Sequence, residues 1–349
     1  MPNAAIVLDS QNQGVQINPT TFPELSDLVT RNFVNVGAMF VPNVMQMYVK
    51  SPLTSRSEYQ LLQEYDTDTY ARNKLAGVAV KKATNGLGYI INIRAKRIGL
   101  EVEVTEESRN IFDKYAEVLS DLQSLAYFNQ NRVELMGTHR FTFSTSTSYT
   151  DMDGDTVDTT VGDGLSLANA AHTLKFSSAT YSNRVSGDPL FSKGALELAR
   201  KLTTTDILDN FGRKRTMKFN TIMTGDNPTT VDAVKQYLHS TSDNTQNNAG
   251  VINVAQQYNW THLILPQLAT LATGSPDSTK VNWWAIAALA QGNGGFQARV
   301  VEWEASHMVA ATDGNGHDVH KDIWYFNTRQ TIQFGILSGR GYVASCPLS

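Results

Sequence analysis

Asp151-Met152-Asp153-Gly154-Asp155 sets three carboxylates at alternate positions, the pattern with which a loop begins to wrap calcium. The full calcium loop also needs Gly at the sixth position and Glu at the twelfth. Thr156 and Gly162 stand there instead, so the likeness is superficial and no metal site is expected. His317-Asp318-Val319-His320 offers two imidazoles, but without the i, i+4 spacing of a helical metal pair and without a third ligand pattern nearby. It reads as a polar hairpin turn after Asp313-Gly314-Asn315-Gly316. Gly292-Asn293-Gly294-Gly295 does not open a helix after a strand, which makes it a loop and not a dinucleotide fingerprint. Cys346 is the single cysteine, with no assignable catalytic histidine, and is expected to be a structural or tolerated thiol. No P-loop, GxSxG elbow, HExxH or CxxC pattern occurs. No cofactor, metal or small-molecule substrate is implied. The weight moves from an enzyme towards a protein whose function is its surfaces.

Composition agrees with that direction. Charged residues make up 18% of the 349, low against a typical ~25%, and the net charge is -4. No strongly basic balance exists to drive counterion release from nucleic acid. One cysteine cannot make an internal disulfide. The N-terminus lacks the basic and apolar regions of a signal peptide. The longest apolar run, near Trp283–Ala290, falls short of the ~20 residues of a membrane helix. A soluble chain made in a cytoplasm is expected, with two domains or one domain carrying large excursions.

The elements that would position such surfaces follow in order. Residues 1–58 hold Pro2, Pro19, Pro23, Pro42 and Pro52, half of the 10 prolines, with short apolar patches between them such as Phe33–Val41. That stretch is too apolar for a free tail and too interrupted for its own core. It reads as an extended arm burying Phe33, Val36, Met39, Phe40 and Val41, either on a second subunit or on its own domain. Residues 59–103 read as a long β excursion. Val78, Val80 and Lys82 alternate towards a turn at Thr84-Asn85-Gly86, and Tyr89, Ile91 and Ile93 alternate away from it. Ile98, Leu100, Val102 and Val104 mark a further strand.

At Thr105-Glu106-Glu107-Ser108 the period switches. A Thr cap with two acids in the first turn opens a helix, and Ile111, Phe112, Tyr115, Val118, Leu119, Leu122, Leu125, Ala126 and Val133 carry one apolar stripe to about 136. That is roughly 45 Å of helix, with Gly137 placed to end it. A coiled coil is the competing reading, opposed by the lack of a second heptad partner. Residues 141–165 read as a loop or β meander, and 241–259 as an exposed loop. Helices recur at Ser192–Leu202 and Val231–His239. Strands recur at Met217–Thr224, His262–Leu265, Trp283–Ala287, Ala298–Trp303 and Ile323–Phe326. The class is α+β.

Charge is segregated along this order. Residues 61–100 carry seven bases against three acids, and residues 101–136 eight acids against three bases. A basic face with Lys81, Lys82, Arg94, Lys96 and Arg97 therefore precedes an acidic face with Glu101, Glu103, Glu106 and Glu107. Such faces suit docking, within one subunit or between neighbours; two solvated faces that never meet is the alternative.

A Pro-broken arm, a long basic hairpin, a very long helix, a mixed α/β region and a β-rich return together resemble the major capsid proteins of tailed bacteriophages, the Hong Kong 97 fold. Asp163-Gly164-Leu165-Ser166-Leu167-Ala168-Asn169-Ala170-Ala171-His172 is similar to the Asp-Gly … Ala-His segment of Mu-like head subunits, and Ser192–Arg200 to the helix that follows it there. The resemblance implies an N-terminal arm at 1–58 and an extended loop at 59–103. It implies a peripheral domain at 104–205 and 298–335 with a spine helix at 105–136, and an axial domain at 206–297 and 336–349. It implies hexamers and pentamers of an icosahedral shell around double-stranded DNA, contacted non-specifically, in a virion made in a bacterial cytoplasm. Many relatives carry an N-terminal scaffolding segment that a protease removes; with the arm starting almost at Met1, the resemblance implies a separate scaffolding protein or an already trimmed sequence, Met1 opposing the trimmed form, and it implies a portal. Some relatives cross-link a loop Lys to a neighbour's Asn; no feature here identifies that Asn or a catalytic acid, so none is expected. The other readings are an encapsulin-like bacterial compartment shell and a β-rich adhesin or carbohydrate-active enzyme. The last would need paired carboxylates about 5–10 Å apart.

Overall fold

The computed structural model describes residues 7–8, 15–16, 33, 41–51, 59–74, 76–105, 112–240, 253, 257–289, 295–310, 317–318 and 323–348. In chain order the strands are β1 (Val7–Leu8), β2 (Val15–Gln16), β3 (Val49–Lys50), β4 (Tyr59–Thr67), β5 (Asn85–Arg94), β6 (Lys96–Ile98) and β7 (Glu101–Thr105). The long helix α1 (Phe112–Thr142) comes next. After it come β8 (Ser148–Thr150), β9 (Thr156–Asp158), β10 (His172–Thr173), β11 (Thr180–Tyr181), α2 (Lys193–Thr205), β12 (Thr221–Thr224), α3 (Pro228–His239), β13 (Thr261–Ile264) and β14 (Trp284–Ala287). The chain closes with β15 (Ala298–Ala310), β16 (His317–Asp318), β17 (Ile323–Ile336) and β18 (Tyr342–Ser345). The class is mixed helix and sheet. The chain forms two compact units, residues 1–42, 96–133 and 302–332 in the first, and 43–95, 134–301 and 333–349 in the second.

In the first unit, β17 is the central strand. β7 pairs with it antiparallel, Ile323 opposite Thr105 and Asn327 opposite Glu101, and β6 continues along it with Gln330 opposite Ile98. β15 lies beside it. Polar side chains stitch this unit together. Asn129 of α1 donates to Ser306 Oγ at 2.8 Å and to Gln330 Oε1 at 2.9 Å, and Gln330 in turn donates to Glu302 at 3.1 Å. Asn129 and Gln330 are buried, so these bonds satisfy groups that water cannot reach.

The second unit is built on a four-stranded sheet in the order β13-β12-β14-β18, with β12 parallel to β13 and the other pairs antiparallel. All four residues of β12, β14 and β18 are buried, which requires cover on both faces. Ala195, Leu196 and Ala199 of α2 and Val234 of α3 pack with Ile222, Trp284, Ile286 and Val343. Alternation turns Tyr342 the other way, 5.6 Å from the ring of Phe141 near the end of α1 and 5.6 Å from Phe296. Ser192 caps α2 by accepting from the Ala195 amide, and Pro228 sits at the start of α3 behind the Asn227 cap.

Two sequence expectations are corrected here. Gly137 does not end the long helix, which runs on to Thr142. A Cβ on Gly137 would stand 2.7 Å from Val44 Cγ1 and 3.2 Å from the Phe334 ring, so this glycine serves close packing inside the helix. Its carbonyl accepts from Tyr48 Oη at 2.9 Å. Likewise Asn85-Gly86 is not a hairpin turn. Both residues lie inside β5, opposite Thr67 and Asp66 of β4. The connection is residues 68–84, closed at its neck by Asp68 N to Thr84 O and Thr84 N to Asp68 Oδ1, each 3.0 Å. The stacked rings of Phe176 and Phe211, 4.8 Å apart, lie over Gly86, where a Cβ would come within 2.6 Å of Phe176. Val78 and Val80 are therefore loop residues, both exposed.

Candidate assembly surfaces

The ribbon β4–β5 is a two-stranded sheet of its own, with its register slipping between Gln63 and Tyr65. The slip re-aims the side chains. Glu64, Gly88 and Ile93 face inward and are buried, while Tyr65, Leu87 and Ile90 face outward at 51–55% exposure. Loop 68–84 is almost wholly exposed where described and carries Arg72, Lys74, Lys81 and Lys82 against Asp68, with Tyr70, Val78 and Val80 among them. Arg213 from the body reaches it, its guanidinium 4.7 Å from the Tyr70 ring centre and bonded to the Thr67 carbonyl.

Beneath the ribbon lies a buried charged network that the sequence reading missed. Arg340 Nη1 donates to Glu64 Oε1 at 2.6 Å, with both side chains at or below 5% exposure. Asn210 Nδ2 donates to Glu64 Oε2 and to Asp66 Oδ2, each at 2.8 Å, and Asn210 Oδ1 accepts from Arg340 Nη2 at 3.0 Å. Arg215 stands 3.7 Å from Asp66, and Arg213 pairs with Asp209 at 2.7 Å. The signal available in the sequence was Glu64 and Asp66 at alternate positions of a strand that also carries Tyr59, Leu61, Leu62 and Tyr65. It becomes informative only when Arg340, far along the chain, is brought against it.

A second buried pair falls in the Asp163–His172 segment. His172 Nδ1 lies 2.8 Å from Asp163 Oδ2, and Nε2 lies 3.2 Å from both the Leu167 carbonyl and Asn183 Oδ1. The imidazole stacks on Tyr181 at 4.8 Å. Burial alone would raise the Asp163 carboxyl. The hydrogen bond and charge of His172, with the Leu165 and Thr173 amides, outweigh it and hold this acid below its usual range.

The other sequence-singled residues scatter. Phe33 is buried at 2% exposure within the single chain, so its burial needs no neighbour, whereas Val41 is 70% exposed. Val36, Met39, Phe40, Glu106 and Glu107 lie outside the described residues. Arg94 ends β5 and is exposed; Lys96 is half-buried in β6. Arg97 stands 3.9 Å from Glu304 of its own chain, a solvent-screened pair. Glu101 and Glu103 are exposed on β7, and Glu101 accepts from Asn327 at 3.3 Å. Asp151 spends its Oδ1 on the amides of Asp153 and Asp155, each at 3.0 Å, forming the turn between β8 and β9. His317 and Asp318 form β16, and Gly292–Gly294 are outside the described residues. Cys346 is buried, 4.0 Å from Ser144 Oγ, and burial pushes its thiol up to about 12. Among the described residues no three His, Cys, Asp or Glu side chains are grouped to hold a metal, and no helix is long and apolar enough to cross a membrane.

No family model matches the chain, and no curated protein matches it. Solved structures do. The procapsid of bacteriophage JBD30 is similar over 95% of this chain and 76% of its own, at TM-score 0.47 and 10% identity. The capsid of Myoviridae phage XM1 is similar over 91% and 92%, at TM-score 0.46 and 10% identity. A virus-like particle from Pyrococcus furiosus is similar over 91% and 97%, at TM-score 0.44 and 10% identity.

Proposed function

We propose that this chain is the repeating subunit of a closed protein shell, the major capsid protein of a tailed bacteriophage, and not an enzyme. One observation carries the reading. A two-stranded ribbon holds Tyr65, Leu87 and Ile90 outward and ends in a basic loop bearing Tyr70, Val78 and Val80. An isolated hairpin is marginal in water, and a contiguous exposed apolar surface marks a contact site. Copies of the same chain are the economical cover, since symmetric assembly uses one surface many times.

On this reading residues 1–58 are the arm, 59–103 the extended loop, 104–205 and 298–335 the peripheral domain, and 206–297 with 336–349 the axial domain. Lys81, Lys82 and Arg94 face an acidic neighbour, with Glu101 and Glu103 exposed to receive such a partner. Subunits group as hexamers and pentamers around double-stranded DNA held non-specifically. A separate scaffolding protein and a portal complete the particle, which resides in the virion.

Electron microscopy of the overexpressed full-length chain tests the reading. Hollow polyhedral or tubular particles are expected, and K81E/K82E is expected to reduce them severalfold. A folded chain that stays monomeric at every concentration, with or without the scaffolding protein, overturns the proposal.

A further inference from the structure

The Glu64–Arg340 pair joins two parts of the second unit that are held very differently. Arg340 rises from a fixed turn. The Leu337 amide donates to Gln297 O and the Ala288 amide to Gly341 O, each at 2.9 Å, and β18 follows at once in the sheet. Glu64 sits on the ribbon, which shares no strand ladder with any other described strand and meets this unit through side chains. Those contacts include Tyr89 Oη with Thr173 Oγ1 at 3.0 Å, Lys175 over the Tyr89 ring, Arg213 with the Thr67 carbonyl and the Tyr70 ring, the rings over Gly86, Ile93 against Gly335, and the charged network. In that network each acid has its own base: Asp209 with Arg213, Asp66 with Arg215, and Glu64 with Arg340. Arg340 Nε has no partner, so Glu64 is the carboxylate that compensates this buried guanidinium at contact distance.

We propose that the ribbon is a latched element, held down by the Glu64–Arg340 pair and released as an intact hairpin when the Glu64 charge is removed. A neutral Glu64 leaves the buried guanidinium with no carboxylate in contact, only the Tyr181 ring at 5.2 Å and the more distant charge of Asp66, and the Arg340 backbone is tied into the sheet. Lifting the ribbon is the movement that returns water to the guanidinium. The ladder within β4–β5 uses no backbone bond to the body, so undocking breaks none of its strand pairing while Tyr89, Asn210 and Arg340 become accessible. The latch belongs to one folded subunit and does not rest on the assembly reading.

Hydrogen exchange on the full-length chain tests it, comparing E64Q with wild type at matched oligomeric state by light scattering. The Asn210 amide reports docking, because it donates to Asp66 Oδ2 across the ribbon contact. In E64Q its exchange is expected to rise on the order of a hundredfold, with β12 and β14 amides unchanged. The double variant E64L/R340M, which removes both charges, is expected to restore slow exchange. Asn210 exchange within about threefold of wild type in E64Q overturns the latch. So does equal acceleration in β12 and β14, which would make the pair a staple of the whole unit.

Discussion

Asp163 Oδ2 and His172 Nδ1 lie 2.8 Å apart, with the two side chains 4% and 0% exposed. Asp163 also accepts from the Leu165 and Thr173 amides, so one carboxylate organises the loop before β10. Replacing it by Asn keeps the shape and removes the charge. D163N is expected to destabilise the chain by about 3 kcal/mol, because a buried partner is left uncompensated. That corresponds to a Tm lower by roughly 4 °C in a scanning calorimeter. The sign with pH follows from the lowered carboxyl. Its contribution is complete above the ordinary value of 3.8 and is lost as pH falls through the lower folded value. Wild type should therefore lose stability below about pH 4 more steeply than D163N.

Glu134 predicts the opposite slope. Burial raises its carboxyl above the usual 4.5, more than the hydrogen bonds from the Val44 amide and Thr138 lower it. The folded state then holds a proton that the unfolded state gives up, so stability falls as pH rises from 4.5 through the folded value. E134Q keeps an acceptor for Val44 and removes the charge. It is expected to be at least as stable as wild type at pH 7 in urea unfolding and to flatten that slope.

Gly137→Ala sets two effects against each other. Ala favours a helix interior by about 1 kcal/mol over Gly. The added methyl meets Val44 and Phe334 inside van der Waals contact, which costs about 1–3 kcal/mol. The clash is expected to win, and a thermal melt should show G137A below wild type. A melt at or above wild type would mean that Val44 yields without cost.

The Cys346 thiol gives a direct probe of the sheet edge on which it ends. With its ionisation pushed up to about 12 and little of it exposed, labelling by a thiol reagent at pH 8 should be slower than for the unfolded chain by more than tenfold.

Elements whose residues carry a strong local signal were legible along the chain. The apolar stripe through Leu125, Ala126 and Val133 announces a long helix, because side-chain period is a local property. The β segment around Trp284 shows the same legibility, since a strand buried on both faces reads as a continuous apolar run. Asn85-Gly86 misleads because a local turn preference of modest size yields to the Phe176–Phe211 stack, which arrives from far along the chain. Gly137 misleads in the same way, its helix-ending tendency outweighed by contacts with Val44 and Phe334. The charged faces were visible as composition, but not the pairing of Glu64 with Arg340 or of Arg97 with Glu304. Sequence specifies which side chains carry charge; only the folded chain decides which of them lose water together, and burial is what turns an ordinary carboxylate into a latch.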